Sequence, residues 1–315
     1  MIRPDGLAGP LLLVGQGRDL ATGIDDRPYL VAAAATLVGV DPGPGRLITD
    51  IRSEPAVEGL NGLVGARALS GFRRALAETV PTLVPGSLEH LLLDDTGPAA
   101  HISGSVLTRA GLLRLDDPQA KLPVDICAGW QAGGAMLAEI ADTGFPLLGW
   151  GPPAPSLENP DDDLAWHPLE PLAPTAMRRC RLIDLWRGVG PDGRTASAPL
   201  RVDVRFRDTY GDHDGTEIVV HEYAVSVKVD RGTWQVLEAT AEAGPLPAPE
   251  CPAATASIGR IVGREASSLR DLVRHELTGP STCTHLNDVI RSLADVRTLW
   301  VSGALARGES VEEAP

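Results

Sequence analysis

The sequence predicts an α+β protein of two pseudo-repeated units, each a three-stranded antiparallel sheet followed by about three helices packed on one sheet face. Three observations predict it. Apolar and charged residues alternate through 201–242 with the period of strands. The stretch from 253 to 300 changes to helical spacing. The same order of segments recurs, more faintly, in the first hundred residues.

Taken in order, "RVDVRFRD" (201–208) places Val202, Val204 and Phe206 between charges and reads as a strand. "GDHDG" (211–215) is a turn cluster, followed by "EIVVHEYAVSVKVD" (217–230). There Val219, His221, Tyr223, Val225, Val227 and Val229 share one face. "RGTWQVLEATAE" (231–242) reads as a third strand. Residues 253–262 and "SSLRDLVRHEL" (267–277) read as helices, the second stopped by "TGP". The last helix, "HLNDVIRSLADVRTLW" (285–300), carries Leu286, Val289, Ile290, Leu293 and Val296 at the spacing of one buried stripe.

The N-terminal counterparts follow in the same order. Arg18 and Arg207 both begin an Arg-Asp pair, 189 residues apart, and Asp41 precedes Asp230 by the same distance. "GLVGARALSGFRRAL" (62–76) faces "RIVGREASSLRDLVR" (260–274), and His90 faces His285. The implied domains are a degenerate repeat at 1–96, a helical and Pro-rich connector at 97–175, a second repeat at 176–302 and a disordered tail at 303–315. A helix is expected in the second part of "VDICAGWQAGGAMLAEIAD" (124–142), and "GPPAPSLENPDDDLAWHPLEPLAP" (151–174) reads as an extended linker.

Composition narrows the function. A net charge of −14 argues against nucleic acid or an anionic membrane as partner and leaves a protein partner or a small-molecule substrate. No apolar run reaches the length of a membrane span. Cys127, Cys180, Cys251 and Cys283 are too scattered for a disulfide framework in a chain of 315 residues, which implies a reducing, cytoplasmic setting. A Ser-nucleophile elbow, a P-loop and an HExxH motif are all missing, and "LVGQGRD" lacks the third glycine of a dinucleotide loop.

The chemistry gathers in the second repeat. Cys251 stands before Pro252 at a helix start, and Cys283 and His285 in "TCTHL" open the last helix, with Thr284 as the expected cap. The positive end of a helix dipole favours thiolate at both cysteines. His221 projects from the strand face on which those helices pack. The expected site is therefore a His₂Cys₂ set of His221, Cys251, Cys283 and His285, suited to zinc or a [2Fe–2S] cluster. The corresponding N-terminal residues are Ala32, Ser53, Leu88 and His90, so the first repeat has lost the set. Arg18–Asp19 and Arg207–Asp208 recur in both repeats and read as structural, and Cys127 and Trp130 as packing or pocket residues.

The order of His221, the following strand, Cys251 in "ECPAATAS" and Cys283 in "TCTHLNDVI" resembles iron–sulfur scaffold proteins of the NifU/IscU type. Here His221 stands where those proteins have their first cysteine and Tyr223 where they have an aspartate; the resemblance implies cluster binding. Residues 175–300 also resemble a bacterial family of unknown function marked by a Cys-Pro pair and a Cys-Thr-His-Leu box. "DICAGWQAGG" and "DDDLAWHPL" are similar to segments of its longer members. Two other readings stand beside the metal site. One is a metal-free enzyme or sulfur carrier, with Cys283 or Cys251 as nucleophile and His285 or His221 as base. The other is a non-catalytic binding or assembly module. A Cys251–Cys283 disulfide is a further state under oxidation.

Overall fold

A computed structural model describes residues 1–23, 27–116, 122–146, 151–159, 161–162, 164–187 and 198–308. Residues 309–315, most of the expected tail, lie outside the described residues. The chain forms two compact units: one from residues 1–104 with the segment beginning at Ala294, the other from 105–293.

In the first unit, β1 (Leu11–Thr22), β2 (Pro28–Val40) and β3 (Ile48–Glu54) form an antiparallel sheet in that order. Leu11, Leu13, Val38, Val40, Ile48 and Ile51 point into a core closed by Phe72 and Leu76 of α1 (Phe72–Thr79), Leu93 of α2 (Leu88–Asp94) and Ala100 of α3 (Thr96–Ile102). In β1 the buried residues alternate with less buried ones at the two-residue period of a sheet buried on one face, whereas Ile48 and Ile51 in β3 are three apart, across the register slip between Gly39 and Val40.

The second unit opens with α4 (Ser105–Arg109) and α5 (Ala135–Thr143). Its sheet has four antiparallel strands, β4 (Met177–Arg187), β5 (Leu200–Gly211), β6 (Glu217–Val229) and β7 (Val236–Ala243), in sequential order. β4 departs from the three-stranded expectation. It is an edge strand, half-buried along most of its length, and "MRRCRLIDLWR" therefore shows no clean alternation. β7 starts five residues later than expected, after a turn at 231–235. The face carrying His221, Tyr223, Val225, Val227 and Val229 is buried, as its period requires.

Helices follow. Residues 251–261 form a 3₁₀ run rather than an α-helix, and α6 covers Leu269–His275. The expected last helix is two: α7 (Thr284–Ser292) in the second unit and α8 (Val296–Ala306) in the first, joined by a 3₁₀ turn at Leu293–Asp295. α7 buries Leu286, Val289 and Ile290, while α8 buries Val296, Trp300 and Ala304 against β1 and β2. One apolar stripe thus serves two cores, which periodicity alone cannot divide. The start of the Pro-rich tract is not a free linker. The Ala154 amide donates to the Glu217 carbonyl at 2.7 Å and the Val219 amide to the Pro152 carbonyl at 3.1 Å, which lays 152–154 along the start of β6.

Each sheet shifts register twice. The β1–β2 ladder slips after Asp19 and the β5–β6 ladder after Asp208, each marking a bulge. A second slip falls before Val40 in the β2–β3 ladder and before Val229 in the β6–β7 ladder. Among the described residues, no helix is long and apolar enough to cross a membrane.

Candidate metal centre

Cross-strand pairing builds the centre. Arg179 on β4 lies opposite Asp208 on β5, and Asp208 lies opposite His221 on β6. The three side chains form one row on the buried face. Asp208 continues the inward series Val202, Val204, Phe206, and the chain accepts a carboxylate there because a cation meets it. Arg179 grips it with a two-pronged contact, Nε to Oδ1 at 2.8 Å and Nη2 to Oδ2 at 2.9 Å. Asp208 is wholly buried and the Arg179 side chain is 7% exposed. Such a fork is the strong form of an ion pair, and burial makes it costly to break.

α7 closes the row from above. His285, on its first turn, stacks on His221 with ring centroids 3.5 Å apart and planes 20° from parallel. Three residues on, Asp288 accepts from Arg179 Nη1 at 3.1 Å. One oxygen, Asp208 Oδ2, lies 3.8 Å from His221 Nδ1 and 3.7 Å from His285 Nε2. Asp208, His221 and His285 each offer a donor atom within 4.8 Å of the other two. Phe206 forms the floor, its ring 5.0 Å from the Arg179 guanidinium and 6.4 Å from the His285 ring.

The four residues expected as one set therefore fall into two groups. His221 and His285 meet at Asp208. Cys283 stays in touch with His285, its Sγ 3.9 Å from Nδ1, on the side of the ring away from Asp208. Cys251 packs instead with Met136, Ile140 and Ala248, its sulfur against Gly129. Cys283 itself, not Thr284, is the N-cap of α7.

The expected thiolate character is reversed. Burial pushes the Cys251 thiol up to about 12, and it also raises Cys283 and Cys127. Desolvation of a buried charge outweighs the helix dipole and the amides turned toward the sulfurs. This opposes a nucleophilic Cys283–His285 pair, because the attacking form is the one burial disfavours.

Asp208, Arg179 and Asp288 were missed as site residues. Asp208 was legible: an acidic residue at an inward position of a strand needs a partner. Arg179 was hidden with β4. Arg207, its neighbour, does hold structure. It turns to the opposite face, where it meets Glu222 at 2.6 Å and the Pro155 carbonyl at 2.7 Å.

Residues 177–299 match the model of a family described as "Protein of unknown function (DUF2889)". The match spans β4 to β7, α6 and α7, and so contains every residue of the centre, while Cys127 lies outside it. No curated protein and no solved structure matches the chain.

Proposed function

We propose that this domain of unknown function is a metal-binding module in which Asp208, His221 and His285 hold one first-row divalent cation, iron(II) or manganese(II). The observation that carries the reading is the convergence of one carboxylate oxygen and two imidazole nitrogens from three separate elements within 4.8 Å. Two histidines and one carboxylate form a donor set used for such ions. The Arg179 fork fixes the orientation of Asp208, as an outer partner of a metal-bound carboxylate does.

Three protein donors leave coordination positions for a water or a substrate oxygen, the arrangement of a Lewis-acid centre rather than a closed structural one. The open side is at His285, whose side chain is 13% exposed against 7% for His221. Metal-bound imidazoles radiate from the ion, so loading has to splay the present stack of the two rings.

The duplication belongs to the same proposal. Its support is the pair of register slips at Asp19 and Asp208, and at Val40 and Val229, both 189 residues apart. In the first sheet Ala32 lies opposite Asp19, where His221 lies opposite Asp208. The N-terminal copy is then a related frame without the imidazole.

The test is uptake of iron(II) or manganese(II) by metal-stripped protein under anaerobic conditions. Binding of one ion per chain, weakened more than about 100-fold by His221→Ala, is the expected result.

A further inference from the structure

The outward face of the first sheet is apolar where a solvated sheet face is polar. On the side away from the core, pairing sets Leu12 beside Gly39, Val14 beside Leu37, Gln16 beside Ala35, Arg18 beside Ala33 and Leu20 beside Leu30. Ile2 extends the first of these rows by bridging to Leu12. Val14 is 54% exposed, Leu30 61% and Ile2 38%, so much of this surface is open to solvent.

The architecture does not impose such a face. In the second sheet, the residues 189 positions on from Leu12, Gly39, Val14 and Leu37 are Arg201, Lys228, Asp203 and Ser226. They stand in the same cross-strand pairs, Arg201 with Lys228 and Asp203 with Ser226. That outward face is charged and internally matched, with Arg201 on Asp203 at 2.9 Å and Lys228 on Glu238 at 2.8 Å. A contiguous apolar group rimmed by polar residues marks instead a surface that a partner covers.

The rim indicates which partner. β3 borders the patch and sets Asp50 opposite Gly39, Arg52 opposite Leu37 and Glu54 opposite Ala35. Acid, base and acid along one edge are self-complementary. Let a second copy lie face to face with its strands reversed, about a two-fold axis between the Leu37 and Ala35 rows. Arg52 of each copy then meets Glu54 of the other, and Leu37 closes on Ala35 in the middle. Arg52 holds Asp50 of its own chain at 2.7 Å, but Arg52 is 71% exposed, so this pair contributes little and leaves the guanidinium available. A uniformly basic or uniformly acidic partner would set like charges against part of this edge.

We propose that the outward face of the first sheet is the interface of a symmetric dimer of this chain. The proposal does not rest on the Asp208 centre, which belongs to the other unit.

The experiment is sedimentation velocity on the full chain over a series of concentrations. Wild type is expected to sediment as a dimer. Val14→Asp should weaken association more than about tenfold with an unchanged circular dichroism spectrum. Arg52→Glu should weaken it too, by setting acid against acid, and adding Glu54→Arg to that variant should restore it. Because the Arg52 side chain is exposed, Arg52→Glu carries the test if Val14→Asp does not fold. A wild-type chain that stays monomeric throughout overturns the proposal and leaves the face to a different protein. A dimer that both Val14→Asp and Arg52→Glu leave intact overturns it equally, because association then lies elsewhere.

Discussion

Asp19 and Asp208 invite comparison because each sits on a strand just before a register slip, 189 residues apart, and each faces the neighbouring strand. Their surroundings differ in what answers the carboxylate. Asp208 is fully buried, yet Arg179 holds both its oxygens and two imidazoles stand beyond. Asp19 faces Ala32 across the ladder, and partial burial, with Glu89 and Asp295 nearby, pushes its carboxyl up to about 6. The difference teaches that the bulge does not make a site. The deeper aspartate is tolerated because β4 supplies a cation, and the shallower one resists ionisation because burial, reinforced by Glu89 and Asp295, disfavours its charge.

That contrast is broken most severely at Arg179. Arg179→Met leaves Asp208 and Asp288 buried without their shared cation, and equilibrium unfolding in urea should show a loss of about 3–5 kcal/mol. Adding Asp208→Leu to that variant should recover part of the loss, because the buried charge is then removed as well.

Asp19→Asn should act in the other direction. The carboxyl is harder to ionise in the folded state than in the unfolded chain. Between about pH 4 and pH 6 the folded state therefore binds more protons, and stability falls as pH rises through that window. The Asn variant cannot ionise, so it should escape this fall and be more stable than wild type at pH 7 by about 1–2 kcal/mol, once contact with solvent is discounted. Below pH 4 the advantage should vanish. Denaturant melts at pH 3.5, 5 and 7 would check it.

The smallest change sharpens the comparison. Ala32→His places an imidazole opposite Asp19, as His221 stands opposite Asp208. Below the imidazole's own titration its charge should bring the Asp19 carboxyl down by about one unit or less. Side-chain NMR titration of Asp19 reads this directly, and an unchanged titration would show that the two rows are not equivalent.

The legible part of the molecule was the part with a period. Val202, Val204 and Phe206 announced β5, the series from Val219 to Val229 announced β6, and both sheets are antiparallel as alternation implies. β4 was not legible, because an edge strand half-buried along most of its length carries no alternation, and with it went Arg179. The division of α7 from α8 was hidden because one stripe packs on two cores in turn. Of the centre, His221 and His285 could be read from their positions. Their meeting at Asp208 depends on register across two strands, which no local pattern specifies. Grouping all four Cys and His residues overlooked that His285 has two ring edges, one toward Asp208 and the other toward Cys283.

The central claim is that Asp208, His221 and His285 share one cation. Equilibrium dialysis of the metal-stripped chain against iron(II) and against manganese(II), wild type beside His221→Ala and Cys251→Ala, tests it most directly. The account predicts one ion per chain in wild type and Cys251→Ala and a loss of more than about 100-fold in affinity in His221→Ala. Uptake of neither ion by wild type, or binding that His221→Ala leaves unchanged, would contradict it.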